Sequence, residues 1–207
     1  MARNQKSNTE NQILEAAEVV FIRDGYDGAR TTEIARQAGI THAMLHYYFS
    51  TKEELYQKIF QRKMEDFIKS FLSIFDNESS SIVDTIELGM RLHFDFLKTN
   101  KSLPLFLMSS LRRSSDTFKD IFLAAFKDVR CVLSPFQQRL DAAAASGEIR
   151  PVSAALLMMD IVMLNVSAIL FDPAYNIIVE IMPMPQQDFL QLRLEENINL
   201  IKQRLRV

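Results

Sequence analysis

The 207-residue sequence is short of the residues that fix small, stapled or cofactor-bearing folds. It has one cysteine, Cys131, so it cannot close an internal disulfide. Tryptophan is absent, and histidine occurs at three positions, His42, His46 and His93. With one cysteine, that set excludes a zinc finger, and no metal site is expected. Five glycines leave no phosphate-cradling loop at a recognised spacing, so no nucleotide cofactor is expected. Neither sign of charge dominates: 24 Lys and Arg stand against 26 Asp and Glu, a formal net charge of −2. Bulk charge therefore does not point to nucleic acid. Residues Met1 to Gln12 are polar and contain no apolar run, so no secretory signal is expected and a cytoplasmic protein is the default. One long apolar run exists, Ala154 to Phe171. Asp160 and Asn165 lie within it, where a charge in a bilayer costs roughly 2.5 to 3.5 kcal/mol. A buried or interface helix fits that run better, and no membrane partner is expected.

Strand signals are nearly missing, and helical periodicity fills the chain. With 48% hydrophobic residues there is material for a real core. Ile13, Leu14, Ala17, Val20 and Phe21 form one inward face, stopped at Gly25. Thr31 or Thr32 is expected to cap a second helix with Ile34, Ala35 and Ala38 inward, ending at Gly39. Thr41 caps a third through Phe49, and Thr51 with Glu54 forms a capping box for a fourth, expected to run to about Asp76. A loop follows at Asn77 to Ser81. Later patterns cover Ile82 to Thr99, Leu103 to Arg113, Asp116 to Ser146, Val152 to Phe171 and Gln186 to Arg206. Gly147, Pro151, Pro173, Pro183 and Pro185 punctuate them. The expectation is an all-α fold of about nine helices.

The stretch from Arg30 to Phe49 carries the functional signal. Two short helices joined at a glycine have the form of a helix-turn-helix, whose second helix can enter the major groove. Turning that helix so that Leu45 faces the core brings Phe49 and Tyr48 inward too. Thr41, His42, Ala43, Met44, His46 and Tyr47 are left outward or at the N-terminal tip. Hydroxyls there can bond phosphate oxygens, small Ala43 permits close approach, and other side chains can read base edges.

The first 60 residues or so also resemble the TetR/AcrR family of bacterial transcription regulators. The matching residues are Ile13-Leu14-Glu15-Ala16-Ala17, Phe21, Gly25-Tyr26, Thr31-Thr32-Glu33-Ile34-Ala35, Ala38-Gly39-Ile40-Thr41, Leu45, Tyr47-Tyr48-Phe49 and Lys52-Glu53-Glu54-Leu55. The resemblance implies a DNA-binding helix-turn-helix domain over residues 7–67, with its motif at about 30–49. A helical ligand-binding and dimerisation domain would follow over 68–207. It implies backbone contacts from Thr31 and Thr32, base reading from Thr41, His42, Ala43 and Met44, and phosphate contacts from Tyr47 and Lys52. His46 stands where the family usually has tyrosine, and Ala43-Met44 where Gly-Thr is common, so an operator sequence cannot be borrowed.

The rest of the chain shows no catalytic constellation, and no enzyme activity is expected. His93, Phe94, Phe106, Arg112, Phe126, Met163, Asn165 and Tyr175 are candidate pocket residues for a largely apolar small-molecule effector, although apolar residues at such spacing also make ordinary core. Leu190, Leu194, Ile198, Ile201 and Leu205 form a stripe on the final helix. Together with Asp160 and Met163 they are candidates for a four-helix dimer interface; packing within their own chain is the alternative. The function expected is a homodimeric, ligand-released repressor on a double-stranded DNA operator, with half-site centres about 34–36 Å apart or a multiple of that. An all-helical protein-binding adaptor without DNA binding is the other reading. Up to Lys52 the charges balance, Arg3, Lys6, Arg23, Arg30, Arg36 and Lys52 against Glu10, Glu15, Glu18, Asp24, Asp27 and Glu33. DNA affinity should then depend only modestly on salt.

Overall fold

Apolar residues every three or four positions fold this chain into helices. The computed structural model describes residues 2–72, 81–112, 116–181 and 188–207. In chain order the helices are α1 (Ala2–Gly28), α2 (Thr31–Gln37), α3 (His42–Tyr48), α4 (Lys52–Leu72), α5 (Ile82–Thr99), α6 (Leu103–Arg112), α7 (Asp116–Ala125), α8 (Lys127–Ala145), α9 (Ala154–Phe171), α10 (Tyr175–Ile181) and α11 (Phe189–Leu205). A short 3-10 turn, Asp172–Ala174, precedes α10.

The described residues hold eleven α-helices where periodicity leads one to expect nine. The run from Asp116 to Ser146 is broken at Phe126 into α7 and α8. No glycine or proline marks that break, so local sequence gives no sign of it. Helix α10 has seven residues, too few to display a period. Gly25, at φ 68°, kinks α1 where a stop is expected. The expected end of α4 at Asp76, loop residues 77–80, Arg113, Pro183, Pro185 and Gln186 lie outside the described residues.

Two compact units form. One holds residues 1–65 and 106–122, the other residues 66–105 and 123–207. Residues 106–122 group with the first unit.

The first unit buries Ile13, Leu14, Ala17, Val20 and Phe21 of α1 with Ile34 and Ala35 of α2. Leu45, Phe49, Leu55, Tyr56, Ile59, Phe60, Phe106 and Leu107 complete its interior. Each fully buried Leu, Ile or Phe contributes roughly 1.5–3 kcal/mol.

The second unit is built on α5, α8, α9 and α11. Its core takes Ile86, Met90 and Phe94 from α5, Leu140 from α8, Leu157 and Ile161 from α9, and the full stripe Leu190, Leu194, Ile198, Ile201 and Leu205 from α11. Gly147 turns the chain after α8 at φ 79°, and Glu148 then accepts the Ile82 N–H at 3.1 Å, closing the N-terminus of α5.

A polar ladder crosses this apolar core. An Arg193 guanidinium N–H donates to Asn197 Oδ1 at 2.9 Å, and Asn197 Nδ2 donates to Asn165 Oδ1 at 3.2 Å. Asn165 Nδ2 then spends its two hydrogens on Met90 O at 3.1 Å and His93 Nδ1 at 3.2 Å. His93, Asn165 and Asn197 are all 0% exposed. The directions are forced: Asn165 is a donor toward the imidazole, so Nδ1 carries no proton and the ring is neutral. Burial also pulls the His93 pKa down, to about 4.

The unfolded chain, whose imidazole titrates near 6.5, takes up a proton that the folded chain refuses. This part of the stability is complete above about pH 7 and is lost as the pH falls toward 4. Chemical denaturation should show about 2 kcal/mol lost between about pH 7.5 and pH 5, and His93→Gln should flatten that limb. Equal slopes for wild type and variant would show that the histidine is not held neutral.

Candidate nucleic-acid interface

The α2–turn–α3 motif is set by backbone geometry and two hydroxyl-bearing residues. Gly39 takes φ 68°, which costs a glycine little. Around it Ile40 N–H bonds Ala35 O at 3.0 Å and Gly39 N–H bonds Arg36 O at 3.2 Å, the paired closure of a Schellman end. Thr41 then caps α3, its Oγ1 accepting from Met44 N–H at 3.2 Å. Glu54 N–H donates to Thr51 Oγ1 at 3.0 Å, capping α4. The Glu54 carboxylate returns to Ser50 N–H at 2.9 Å, one residue before the position a capping box uses.

The expected cap of α2 is corrected. Its N-cap is Arg30, in extended conformation and without a side-chain cap bond. Thr31 is the first helical residue, and its Oγ1 lies 3.0 Å from His42 Nε2, tying the start of α2 to the tip of α3.

Leu45 is 1% exposed and Phe49 4%, with Tyr48 half-buried, so the inward face of α3 is as the wheel gives it. Thr32, Thr41, His42, Ala43, Met44, His46 and Tyr47 are exposed, and Thr31 is half-buried. The rings of His42 and His46 meet edge to face with centroids 4.4 Å apart, and His46 Nδ1 lies 3.4 Å from Ser50 O. The half-buried Lys52 donates from Nζ to Asp27 O at 3.5 Å and sits 4.5 Å from the Tyr26 ring centroid. Sequence reasoning did not single out Tyr26 or the Asp27 carbonyl as its holders. A backbone acceptor and a ring 26 residues away leave no local signal.

Two nearby cations are turned onto acids of their own helices. Arg23 bonds Asp24 and Arg36 bonds Glu33, both at 2.7 Å. These hydrogen bonds hold the Asp24 and Glu33 carboxyls below their ordinary pKa values.

Comparison with known proteins decides what this motif belongs to. Residues 13–59 match the family model for bacterial regulatory proteins of the tetR family. The chain is 29% identical over 111 residues to the fatty acid metabolism regulator protein of Bacillus subtilis (strain 168), covering 54% of this chain and 57% of that protein. The chain thus spans little more than half the length of this curated relative. Among solved structures it is similar to a TetR family transcription regulator from Marinobacter aquaeolei VT8, with TM-score 0.70, 17% identity and 98% of each chain covered. It is also similar to AibR in complex with isovaleryl coenzyme A and operator DNA, with TM-score 0.67, 20% identity and coverage of 93% and 97%.

The helix-turn-helix segment within residues 13–59 is thus of the tetR type. Over the described residues the fold, all-α with an N-terminal helix-turn-helix and a further helical region, is like that of these two solved structures.

The other predicted residues lie in both units. His93, Phe94 and Asn165 come together in the core of the second unit, His93 and Asn165 directly bonded. Phe106 is buried in the first unit, while Arg112 and Met163 are exposed. Phe126 is half-buried, and Tyr175 stacks on Phe189 at 4.5 Å.

The interface candidates need correction too. Leu190, Leu194, Ile198, Ile201 and Leu205 are at most 5% exposed, packed inside their own chain because α11 lies against α5 and α9. Asp160 is half-buried and paired with Arg204. Of this set Met163 faces solvent, at 59% exposure, together with Leu156, Met159 and Phe171 of α9. A stripe on a helix tells that a face is covered but not which chain covers it.

Thr41→Ala should cost about 1 kcal/mol of stability by removing the α3 cap, and Thr41→Ser should keep most of it. Urea denaturation reads the difference; equal midpoints for Thr41→Ala and wild type would count against the cap.

Proposed function

We propose that the chain is a homodimeric transcription regulator that reads a double-stranded DNA operator with α3 and is released by a small molecule. The observation that carries this reading is the outward face of α3. It is capped at Thr41, anchored by the buried Leu45, and exposes His42, Ala43, Met44, His46 and Tyr47. Thr31, Thr32 and Tyr47 serve as backbone contacts, Thr41, His42, Ala43, Met44 and His46 face the groove, and Lys52 meets a phosphate. The α3 N-terminus adds partial positive charge where a phosphate would approach. The DNA-binding domain is assigned to residues 7–67 and the effector and dimer functions to 68–207. Known relatives are regulators, not enzymes, and no catalytic role is assigned.

The outward apolar residues of α9, Leu156, Met159 and Met163, support a dimer seam in place of the α11 stripe. Helix α9 is long and apolar enough to cross a membrane by length and composition. Its inner side packs on α5, α8 and α11 and carries the bonded Asn165, which supports a protein interface and a cytoplasmic protein. The effector is assigned as a largely apolar molecule. Acyl-CoA thioesters are the first class to test, because AibR is seen with isovaleryl coenzyme A and a curated relative regulates fatty acid metabolism.

Fluorescence anisotropy with the intergenic DNA beside the gene is the direct test. Tyr47→Phe and Lys52→Ala should weaken binding to all sequences alike, and Lys52→Ala should lower the salt slope by about 1 per subunit. His42 or Met44 substitutions should change sequence preference instead. Binding that does not respond to salt, or no binding, would sink the DNA reading. Light scattering at micromolar concentration should give a dimer mass for wild type and a monomer mass for Met159→Asp/Met163→Asp. A wild-type monomer would refute the dimer.

A further inference from the structure

Lys52 is poorly suited to its position on electrostatic grounds. It is the first residue of α4, where the helix dipole disfavours a cation. What holds its ammonium is the Asp27 carbonyl and the face of Tyr26. Tyr26 is itself placed by an aromatic set. Its ring meets Tyr56 edge-on at 4.9 Å and lies parallel to Phe21 at 6.1 Å. Tyr56 also meets Phe21 at 4.8 Å and Phe106 at 5.4 Å.

The far end of this set is a buried hydroxyl pair. Tyr56, 2% exposed, has its Oη 2.7 Å from Oγ of Ser110, a residue 54 positions away and 0% exposed. Ser110 Oγ also donates to Phe106 O at 2.7 Å. That bond spends the only serine hydroxyl proton, so Tyr56 is the donor to Ser110. Every group named lies in residues 1–65 or 106–122, the first unit.

We propose that Ser110 and Tyr56 are positioning residues for the Lys52 ammonium. The Ser110 hydroxyl fixes the Tyr56 ring, Tyr56 fixes the edge of Tyr26, and Tyr26 sets where Lys52 meets a DNA phosphate. Residues 106–110 of α6 therefore have a hold on one DNA contact that does not run through α3. A displacement of that segment weakens phosphate binding while the base-reading residues keep their places. This rests on the proposed reading of Lys52 as a phosphate contact.

The test is anisotropy of the full chain on its upstream duplex and on an unrelated duplex, over a salt series. Ser110→Ala removes the acceptor, and Tyr56→Phe removes the donor while keeping the ring and the Ser110–Phe106 bond. Each should weaken binding to both duplexes by about three- to tenfold and lower the salt slope by up to about 1 per subunit. Neither should weaken a Lys52→Ala background further, because the contact they position is gone. Thermal unfolding run alongside identifies a variant that has merely lost its fold, and Tyr56→Phe then carries the test. A wild-type salt slope in Tyr56→Phe, or a loss that adds in full to that of Lys52→Ala, overturns the proposal. A wild-type chain that binds neither duplex overturns the DNA reading itself, a separate result from a wild type that binds as tightly as its two variants.

Discussion

A helix of seven residues does not hold its shape alone in water, because its few hydrogen bonds cannot offset the cost of nucleation. Helices α2 and α3 are both that short, and everything proposed for the reading face depends on what keeps them folded. The answer is burial on one side and closure at the ends. Ile34, Ala35, Leu45 and Phe49 enter a core made with α1 and α4. The Gly39 turn and the Thr41 cap satisfy backbone groups that would otherwise be left without partners between the two helices. Since all the packing is on one side, the other side of α3 is left to interact with a partner.

The second unit solves a different problem. Helix α9 is apolar around its circumference, so hydrophobicity alone would let it rotate. Asn165 removes that freedom, because its amide must reach Met90 O, His93 and Asn197 together. Buried polar groups are costly without partners, so a wrong rotation that breaks these bonds is penalised. The bonded side of α9 becomes core, and Leu156, Met159 and Met163 are turned outward as a consequence. The same residues that fix the interior therefore define which surface is available to a second chain.

Electrostatics plays a placed role in the first unit. Arg23 and Arg36 are held by their own neighbours Asp24 and Glu33, whereas Lys52 is held by a carbonyl and an aromatic face. A carbonyl and a ring orient an ammonium without neutralising it, so its full charge is still available to an incoming anion. A near-neutral composition is thus compatible with a phosphate contact.

Much of this protein was settled by local chemistry and was legible in the chain. Glycine at Gly39, hydroxyls at Thr41 and Thr51, and the spacing of Leu45 and Phe49 act within four or five residues of themselves, so the motif and its outward face could be read directly. Thr31 was legible only as a polar residue near a helix start; its bond to His42 depends on how two helices cross. Tertiary structure alone decided the rest. It broke the run at Phe126, turned the α11 stripe into its own chain and joined Ser110 to Tyr56. The reason is physical: periodicity records that a residue is buried, while the partner that buries it is chosen by packing between segments far apart in sequence.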